Sequence, residues 1–261
     1  MRRKAWKWEK MLLEITDLNK HFGGLHAVRN ATFSVEENKV TGLVGPNGAG
    51  KTTVFNMITG TIQVDSGAVT FRGADITRVT AQERVRHGIA RTFQDVRLLP
   101  RLSVAENVAV GVQNQPGEGF FQVLFAPVHV HRREKETMEH VHACLDFVGI
   151  NPKVRNEPAS NLSYGEQKLV SIARLLATDS RLLLLDEPTS GLDEASLDQF
   201  RALLAKLISD GRTVLMVEHN MLLVRELCDQ AVFMATGDVL AVDTPEKLME
   251  MEELREVYFG A

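Results

Sequence analysis

The stretch Gly45-Pro46-Asn47-Gly48-Ala49-Gly50-Lys51-Thr52-Thr53 fits the pattern G-x-x-x-x-G-K-[ST] of a phosphate-binding loop. An apolar run at 39–44 precedes this loop and predicts a buried strand, and residues 53–58 after it predict a helix. Such a loop needs this order, because its backbone N–H groups and the start of the following helix must both face phosphate. The sequence therefore predicts a site for a nucleoside triphosphate, ATP or GTP, at 45–53.

Each residue type in the phosphate-binding loop has a predicted task. Lys51 would reach the β- and γ-phosphate oxygens, and the Thr52 hydroxyl would help to hold Mg²⁺. Glycine lets the chain curl closely around phosphate without a side chain in the way. The other residues predicted to contact the nucleotide here are Gly45, Pro46, Asn47, Gly48, Ala49, Gly50 and Thr53.

The composition narrows the classes of protein to which the chain can belong. Its 261 residues carry a formal net charge of -4, which predicts no nucleic-acid partner. The two cysteines, Cys144 and Cys228, lack metal-binding spacing and predict a reducing, intracellular compartment. No apolar run approaches the roughly 20 residues that span a bilayer, so a membrane role would require a partner.

The N-terminal segment 1–10 is basic and contains two tryptophans. It lacks the apolar stretch of a signal peptide. We predict that this segment is a flexible leader and that the folded part begins at Met11, while contact of the tryptophans with a membrane surface stays open.

Strand-like runs recur along the chain, at 12–16, 31–35, 39–44, 68–72, 181–185, 213–217, 230–234 and 239–242. The runs at 181–185 and 213–217 are apolar throughout, which is typical of strands covered on both faces. Residues on one helical face separate these two runs, namely Leu197, Phe200, Leu203, Leu204, Leu207 and Ile208. Alternating strands and helices of this kind predict an α/β fold with a mostly parallel sheet and flanking helices.

The middle of the chain has a different pattern, since no convincing strand lies between about 103 and 178. Residues 103–111 predict a short helix with Ser103 and Glu106 in a capping box. A second apolar stripe follows the charged run 131–136 and comprises Met138, Val141, Leu145 and Val148. We predict one domain over 11–261, in which a helical subdomain is inserted at about 100–178.

Two acidic residues follow the leucine run at 182–185. Asp186, at the carboxyl end of a strand beside the phosphate-binding loop, would hold Mg²⁺ directly or through its water. Glu187 would orient and polarise the attacking water as a general base. Together with Lys51, these residues predict hydrolysis of the nucleotide.

At this point the chain resembles the ATPase subunits of ABC transporters. Residues 161–167, Asn-Leu-Ser-Tyr-Gly-Glu-Gln, are similar to the family signature Leu-Ser-Gly-Gly-Gln, with Tyr164 at the first glycine and Glu166 in place of an immediate glutamine. The resemblance implies that Ser163 and the Gly165 N–H face the phosphates of nucleotide bound to a second subunit. Ser163 and Glu166 are also a capping box, and the effect of Tyr164 on the phosphate contact is open.

Four further positions match motifs of the same family. The resemblance implies that Gln94 binds Mg²⁺ or the attacking water and that His219 touches the γ-phosphate. Residues 190–193, Ser-Gly-Leu-Asp, match the family's D-loop, which links two nucleotide sites across a dimer. Phe22 would stack on adenine, although a core phenylalanine is the alternative. The catalytic set implied is therefore Lys51, Gln94, Glu187 and His219.

The resemblance also implies an architecture and a working cycle. The fold would be a P-loop NTPase core, a mostly parallel sheet with flanking helices plus an antiparallel β part, with the helical subdomain inserted. Two such chains would form a head-to-tail dimer in which Lys51, Asp186 and Glu187 of one subunit meet Ser163 and Gly165 of the other. ATP binding would close the dimer and hydrolysis would reopen it.

Within the family, the chain resembles the longer ATPase subunit of bacterial branched-chain amino-acid importers. The resemblance rests on residues 21–25, 90–98, 161–165 and 257–260, and on an extended segment between 113 and 133. That segment contains an apolar cluster that would either dock a permease or pack within the subdomain: Phe120, Phe121, Leu124 and Phe125.

The resemblance implies a set of partners and a location. They are a second ATPase subunit, identical or different, two transmembrane permease subunits and, indirectly, an extracytoplasmic solute-binding protein. The chain would lie peripherally at the cytoplasmic face of the inner membrane. An importer of urea, amides or other amino acids is one alternative, and a soluble ABC-type ATPase acting on ribosomes or DNA is another. A single nucleotide-binding unit, no long coiled-coil insertion and the acidic charge balance disfavour the latter.

Overall fold

Two β-sheets form the centre of the protein. The computed structural model describes residues 11–92, 96–113 and 127–254, and for 127–131 the backbone only. The strands in this part of the chain are β1 (Met11–Phe22), β2 (Leu25–Glu36), β3 (Val40–Val44), β4 (Ser66–Phe71), β5 (Ala74–Asp75), β6 (Ile89–Arg91), β7 (Leu182–Asp186), β8 (Thr213–Glu218), β9 (Gln230–Ala235) and β10 (Asp238–Asp243). One sheet is antiparallel with the order β2-β1-β4-β5, and the other has the order β10-β9-β3-β8-β7-β6. In the second sheet only β10 runs antiparallel to its neighbour.

Helices connect the strands and cover the larger sheet. In the described residues they are α1 (Lys51–Ile58), α2 (Ala81–Arg86), α3 (Val104–Ala109), α4 (Pro127–Val148), α5 (Tyr164–Leu176), α6 (Glu194–Ser209), α7 (Met221–Leu227) and α8 (Pro245–Glu250). The helices α3, α4 and α5 pack on one another. None of the helices in this part of the chain combines the length and apolarity needed to cross a membrane.

The central strands β3, β7 and β8 of the larger sheet are buried on both faces, as the apolar runs predict. Along β7, Leu183 and Leu185 belong to one hydrophobic cluster, whereas Leu182 and Leu184 belong to another. Successive side chains of a strand point to opposite faces, so the two clusters lie on the two sides of the sheet. One contains residues of the helices α3–α6, and the other contains residues of α1 and the antiparallel sheet. The α/β fold class is therefore confirmed.

All of the predicted strand-like runs are strands, but two strands were not predicted. β5 has two residues and β6 has three, too few for an apolar period to appear in the sequence. β6 is held by pairing with β7, from Ile89 opposite Leu182 to Arg91 opposite Leu184. It matters for function because it places Arg91 beside the carboxyl end of β7.

The predicted helices of the middle region are present with small shifts of their ends. α3 begins after Ser103, whose Oγ accepts from the Glu106 N–H while Glu106 Oε2 accepts from the Ser103 N–H at 2.7 Å. The predicted capping box is therefore confirmed, and the helix ends at Ala109 rather than Gly111. α4 begins at Pro127, so it includes the charged run 131–136 as well as the apolar stripe that follows it.

A buried arginine closes the carboxyl end of α1, the helix that follows the phosphate-binding loop. Arg84 is 2% exposed, and its Nη1 donates to the carbonyl oxygens of Met57 at 2.6 Å and Ile58 at 2.7 Å. Its Nε and Nη2 donate to the carbonyls of Val79 and Thr77. Burial lowers the pKa of the guanidinium, but a cation at a helix carboxyl end is favoured by the helix dipole. Arg84 therefore fixes the far end of the helix that presents the phosphate-binding loop.

We expect Arg84→Met to lower the free energy of unfolding by about 3 kcal/mol, because several buried carbonyls lose their donor at once. Urea unfolding followed by circular dichroism measures this loss. Arg86→Met, an exposed change in the same helix α2, is the matched control and should be nearly neutral. A loss of less than about 1 kcal/mol for Arg84→Met would contradict the capping role.

Candidate functional site

The phosphate-binding loop connects β3 to α1, as the sequence predicts. Two of its glycines are required by the backbone: a Cβ at Gly45 would lie 1.9 Å from the Met234 carbonyl oxygen, and Gly50 has a left-handed φ of 100°. Gly50 is the N-cap of α1 and makes no side-chain cap hydrogen bond. The helices α2, α3 and α5, in contrast, begin with capping boxes. The first N–H groups of α1 therefore have no side-chain cap and are available to phosphate.

An open cavity of about 570 Å³ lies against this loop. This volume suits a small molecule. The loop contributes residues 47–53 to its wall, and Glu187 contributes from the end of β7. The remaining lining residues are Phe22, Leu25, His26, Ala27, Arg29, Val217, Thr236 and Gly237.

Phe22 is at this cavity and not in the core. It is 46% exposed, and Lys20 Nζ lies 5.6 Å from the centroid of its ring. A large aromatic ring left this exposed at the wall of a cavity can stack on a planar base. The interpretation of Phe22 as a core residue is therefore wrong, and its stacking on adenine stays a prediction.

Lys51 is largely buried at the wall of this cavity. It is 7% exposed, and its Nζ donates to the carbonyl oxygens of Gly45 at 2.6 Å and Pro46 at 2.9 Å. Burial lowers the pKa of this ammonium, while the charges of Glu187 and Asp186 act in the opposite direction. Gly45 and Pro46 thus hold the lysine through their carbonyl oxygens. Because these acceptors carry no charge, phosphate oxygens can replace them.

Asp186 forms an ion pair that sequence reasoning missed. Its Oδ2 accepts from Arg91 Nη2 at 2.6 Å, and both side chains are largely buried. Arg91 also donates to the side chain of Asn56 in α1, and its guanidinium lies 5.6 Å from the Phe55 ring centroid. One guanidinium therefore links the ends of β6 and β7 to the helix that follows the phosphate-binding loop.

The residues predicted to hold Mg²⁺ fit that ion by their chemistry. The Asp186 carboxylate and the Thr52 hydroxyl are oxygen ligands, which Mg²⁺ prefers. In the described part of the chain, no three or more His, Cys, Asp or Glu residues are grouped as a metal site. Mg²⁺ at phosphate sites is usually bound by one or two protein oxygens together with substrate phosphates. Gln94, the third predicted ligand, lies outside the described residues.

Glu187 has an uncommon backbone conformation at the cavity wall. Its φ is 45°, in the left-handed region, and its N–H donates to the Val217 carbonyl at 3.0 Å. His219 is exposed just beyond β8, followed by Asn220, whose side chain caps α7. Glu187 and His219 therefore lie at the carboxyl ends of neighbouring parallel strands, where ligands of such sheets bind.

The signature residues lie at the start of α5 and away from the cavity of their own chain. Ser163 Oγ accepts from the Glu166 N–H, and Glu166 Oε2 accepts from the Ser163 N–H at 2.9 Å, so the predicted capping box is confirmed. Ser163 is exposed, and neither it nor Gly165 lines this cavity. The structure thus brings together Lys51, Asp186 and Glu187 but not the signature residues.

Other sequence predictions lie outside the described residues. They are the leader 1–10, the apolar cluster Phe120, Phe121, Leu124 and Phe125, and the ending 257–260.

Comparisons with known proteins give consistent similarities. A family model described as ABC transporter matches residues 28–190. The high-affinity branched-chain amino acid transport ATP-binding protein BraF of Pseudomonas aeruginosa is 38% identical over 95% of this chain and 98% of its own length. LivG of Escherichia coli K12, with the same description, is 35% identical over the same shares. LptB, the ATP-binding protein of a lipopolysaccharide export system in Haemophilus influenzae, is 30% identical over 95% of this chain and 97% of its own length.

Solved structures share the fold over most of the chain. The ADP conformation of an ATP-binding cassette of an ABC transporter has a TM-score of 0.84 and 30% identity, and covers 96% of this chain and 99% of that chain. A dimeric structure of a bacterial ABC transporter cassette has a TM-score of 0.74 and 25% identity, and covers 89% of this chain and 98% of that chain.

Proposed function

The chain belongs to the ABC transporter family and is an ATPase of the P-loop type, and from this premise we propose that it powers the uptake of branched-chain amino acids through a membrane permease. One observation carries the choice of substrate. The relatives named for branched-chain amino acid transport are more similar in sequence than the relative named for lipopolysaccharide export, over equal shares of this chain. The uptake direction and the cargo are part of this proposal.

In the proposed reaction, the chain's own residues bind and orient ATP. The free N–H groups at the start of α1 and the Lys51 ammonium would hold the phosphates, and Phe22 would stack on adenine. Thr52, Asp186 and Gln94 would hold Mg²⁺, which when bound neutralises charge on the β- and γ-phosphates. The loop residues 47–53 then keep the γ-phosphate next to the acidic end of β7.

The hydrolytic step is assigned to Glu187 and His219. Glu187 would accept a proton from the attacking water and orient its oxygen towards the γ-phosphorus. His219 would contact the γ-phosphate oxygens. The reaction would rest on positioning and on charge neutralisation, because the phosphoryl group needs little covalent help from the protein.

We also propose a head-to-tail dimer. Ser163 is exposed at the start of α5 and does not reach the cavity of its own chain, so its contact with phosphate requires a second subunit. A dimeric cassette of the same fold supports this arrangement. The second ATPase, identical or different, would be joined by two permease subunits at the cytoplasmic face of the membrane and by an extracytoplasmic solute-binding protein.

A pull-down from detergent-solubilised membranes tests the transport assignment. We expect a tagged chain to co-purify with two hydrophobic permease subunits and a second ATPase, identified by mass spectrometry. The solute-binding protein encoded beside them should then bind leucine, isoleucine or valine in a calorimetric titration. Binding of urea, an amide or another amino acid instead would replace the cargo, and recovery with ribosomal or DNA-repair partners would overturn transport while leaving the ATPase.

A further inference from the structure

A buried lysine of the signature helix holds the turn that follows the predicted catalytic base. We call residues 187–191, which include Glu187, the catalytic turn. Lys168 in α5 is 8% exposed, and its Nζ donates to the carbonyl oxygens of Pro188 at 2.9 Å and Ser190 at 2.5 Å. A third bond, at 3.2 Å, goes to the carbonyl oxygen of Glu187 itself. All three acceptors belong to one turn, so a single ammonium fixes its carbonyl face.

A buried carboxylate holds the same turn from the other side. Glu218, at the end of β8, is fully buried, and its Oε1 accepts from Thr189 Oγ1 at 2.7 Å and from the Thr189 N–H at 3.2 Å. Burial raises the pKa of this carboxyl group. Burial also lowers the pKa of the Lys168 ammonium, while the charges of Glu218 and Glu187 act in the opposite direction. The catalytic turn is therefore held between a cation on α5 and an acid on β8.

The start of α5 packs directly on the D-loop of the same chain. A Cβ on Gly191 would lie 3.1 Å from Tyr164 Cε1, and Lys168 Nζ lies 5.1 Å from the centroid of the Tyr164 ring. A Cβ on Gly165 would lie 2.8 Å from Ser196 Oγ in α6. The tyrosine at the first signature glycine thus covers Gly191 within its own subunit, and α5 cannot move without disturbing this contact.

We propose that Lys168 is a positioning residue for hydrolysis, which links the signature helix α5 to the orientation of Glu187 in the same subunit. The proposal rests on the role assigned to Glu187 above. A movement of α5 would then be transmitted through Lys168 to the carbonyls of the catalytic turn. This contact lies within one chain and is distinct from the contact of Ser163 with nucleotide on a second subunit.

The left-handed backbone conformation of Glu187 needs support from its surroundings, which Lys168 provides. A non-glycine residue with left-handed φ costs of order 1 kcal/mol or more and persists only where its surroundings hold it. Three hydrogen bonds from a buried ammonium supply such a constraint. Without them the turn can relax, and a misplacement of about 1 Å at a catalytic group can reduce the rate by about 100-fold.

The test compares Lys168→Met with Lys168→Arg in the full-length chain. We expect Lys168→Met to lower kcat by at least about 10-fold while ATP affinity, measured by titration, changes by less than about 3-fold. Lys168→Arg keeps the charge and donors and should recover most of kcat. Hydrogen exchange at residues 187–192 should be faster in Lys168→Met, because this turn loses its support.

Lys206→Met is the matched control. Lys206 in α6 also donates to a backbone carbonyl, that of Phe147 at 2.8 Å, and lies over an aromatic ring, but it is exposed and remote from the cavity. Its replacement should leave kcat and the exchange of residues 187–192 unchanged. Should Lys168→Met be insoluble, Lys168→Gln, which keeps two N–H donors without the charge, is expected to show a smaller loss of kcat with the same unchanged ATP affinity.

Two results would overturn the inference. One is a folded Lys168→Met variant with the kcat of the wild type, and the other is a parallel loss of ATP affinity, kcat and thermal stability that Lys168→Arg does not restore. The proposed function has its own test in Glu187→Gln. If Glu187→Gln is inactive while Lys168→Met is fully active, only the role of Lys168 fails. If Glu187→Gln keeps its turnover, the role of Glu187 fails first.

Discussion

Glu187→Gln is expected to lower ATP turnover by at least about 100-fold, because a positioned general base contributes roughly 10²–10⁴-fold to a proton transfer. The amide keeps the size of the carboxylate but does not accept the proton of the attacking water. ATP affinity should stay equal or increase, since Glu187 faces the cavity beside Lys51 and its negative charge would repel the triphosphate. Steady-state phosphate release and an equilibrium titration with ATP measure the two quantities separately.

The oligomeric state gives a second readout of the same variant. If hydrolysis reopens the dimer, Glu187→Gln with Mg²⁺ and ATP should elute as a stable dimer in size-exclusion chromatography, provided that the chain pairs with itself or its partner ATPase is present. Glu194→Gln is the matched control, because Glu194 is exposed on α6 and pairs with Arg201 outside the cavity. Turnover of Glu187→Gln equal to that of the wild type would contradict the role of Glu187 as the general base.

The sequence predicts the part of the site that is local in the chain. The phosphate-binding loop follows from glycine and lysine spacing, since strand, turn and helix must adjoin there. The capping boxes at Ser103 and Ser163 are likewise read from residues three positions apart, and the structure contains both. Strands buried on both faces are recognisable because their apolar residues are continuous, as in β7 and β8.

The contacts that orient the acidic residues were not predictable in the same way. Arg91 and Asp186 are 95 positions apart, and β6, which brings them together, is only three residues long. Lys168 bonds to carbonyl groups, which every residue carries and which leave no pattern in a sequence. The signature motif could be recognised, but its contact with Gly191 in the same chain depends on how α5 is packed. The division into a leader at 1–10 and one domain over 11–261 stays a prediction.

Lys51→Met is expected to weaken ATP binding by about 100-fold or more, because a hydrogen bond to a charged group contributes about 1.5–3 kcal/mol and the ammonium can donate to more than one phosphate oxygen. Methionine has nearly the same length and fits a buried site without a charge. The variant should therefore remain folded, since it no longer buries a cation whose pKa is lowered by desolvation. Thermal unfolding without nucleotide and a fluorescent-ATP titration distinguish lost binding from lost folding.

Lys39→Met is the control for Lys51→Met. Lys39 immediately precedes β3, at the end of the strand opposite the phosphate-binding loop, and pairs with Glu36 at the surface. It should bind ATP like the wild type. The carbonyls of Gly45 and Pro46 decide how the main result is interpreted. If Lys51 only braced the loop through them, Lys51→Met would lower stability and affinity together. If the ammonium leaves these carbonyls for phosphate, affinity falls far more than stability does. An ATP affinity within about 3-fold of the wild type would contradict phosphate binding by Lys51.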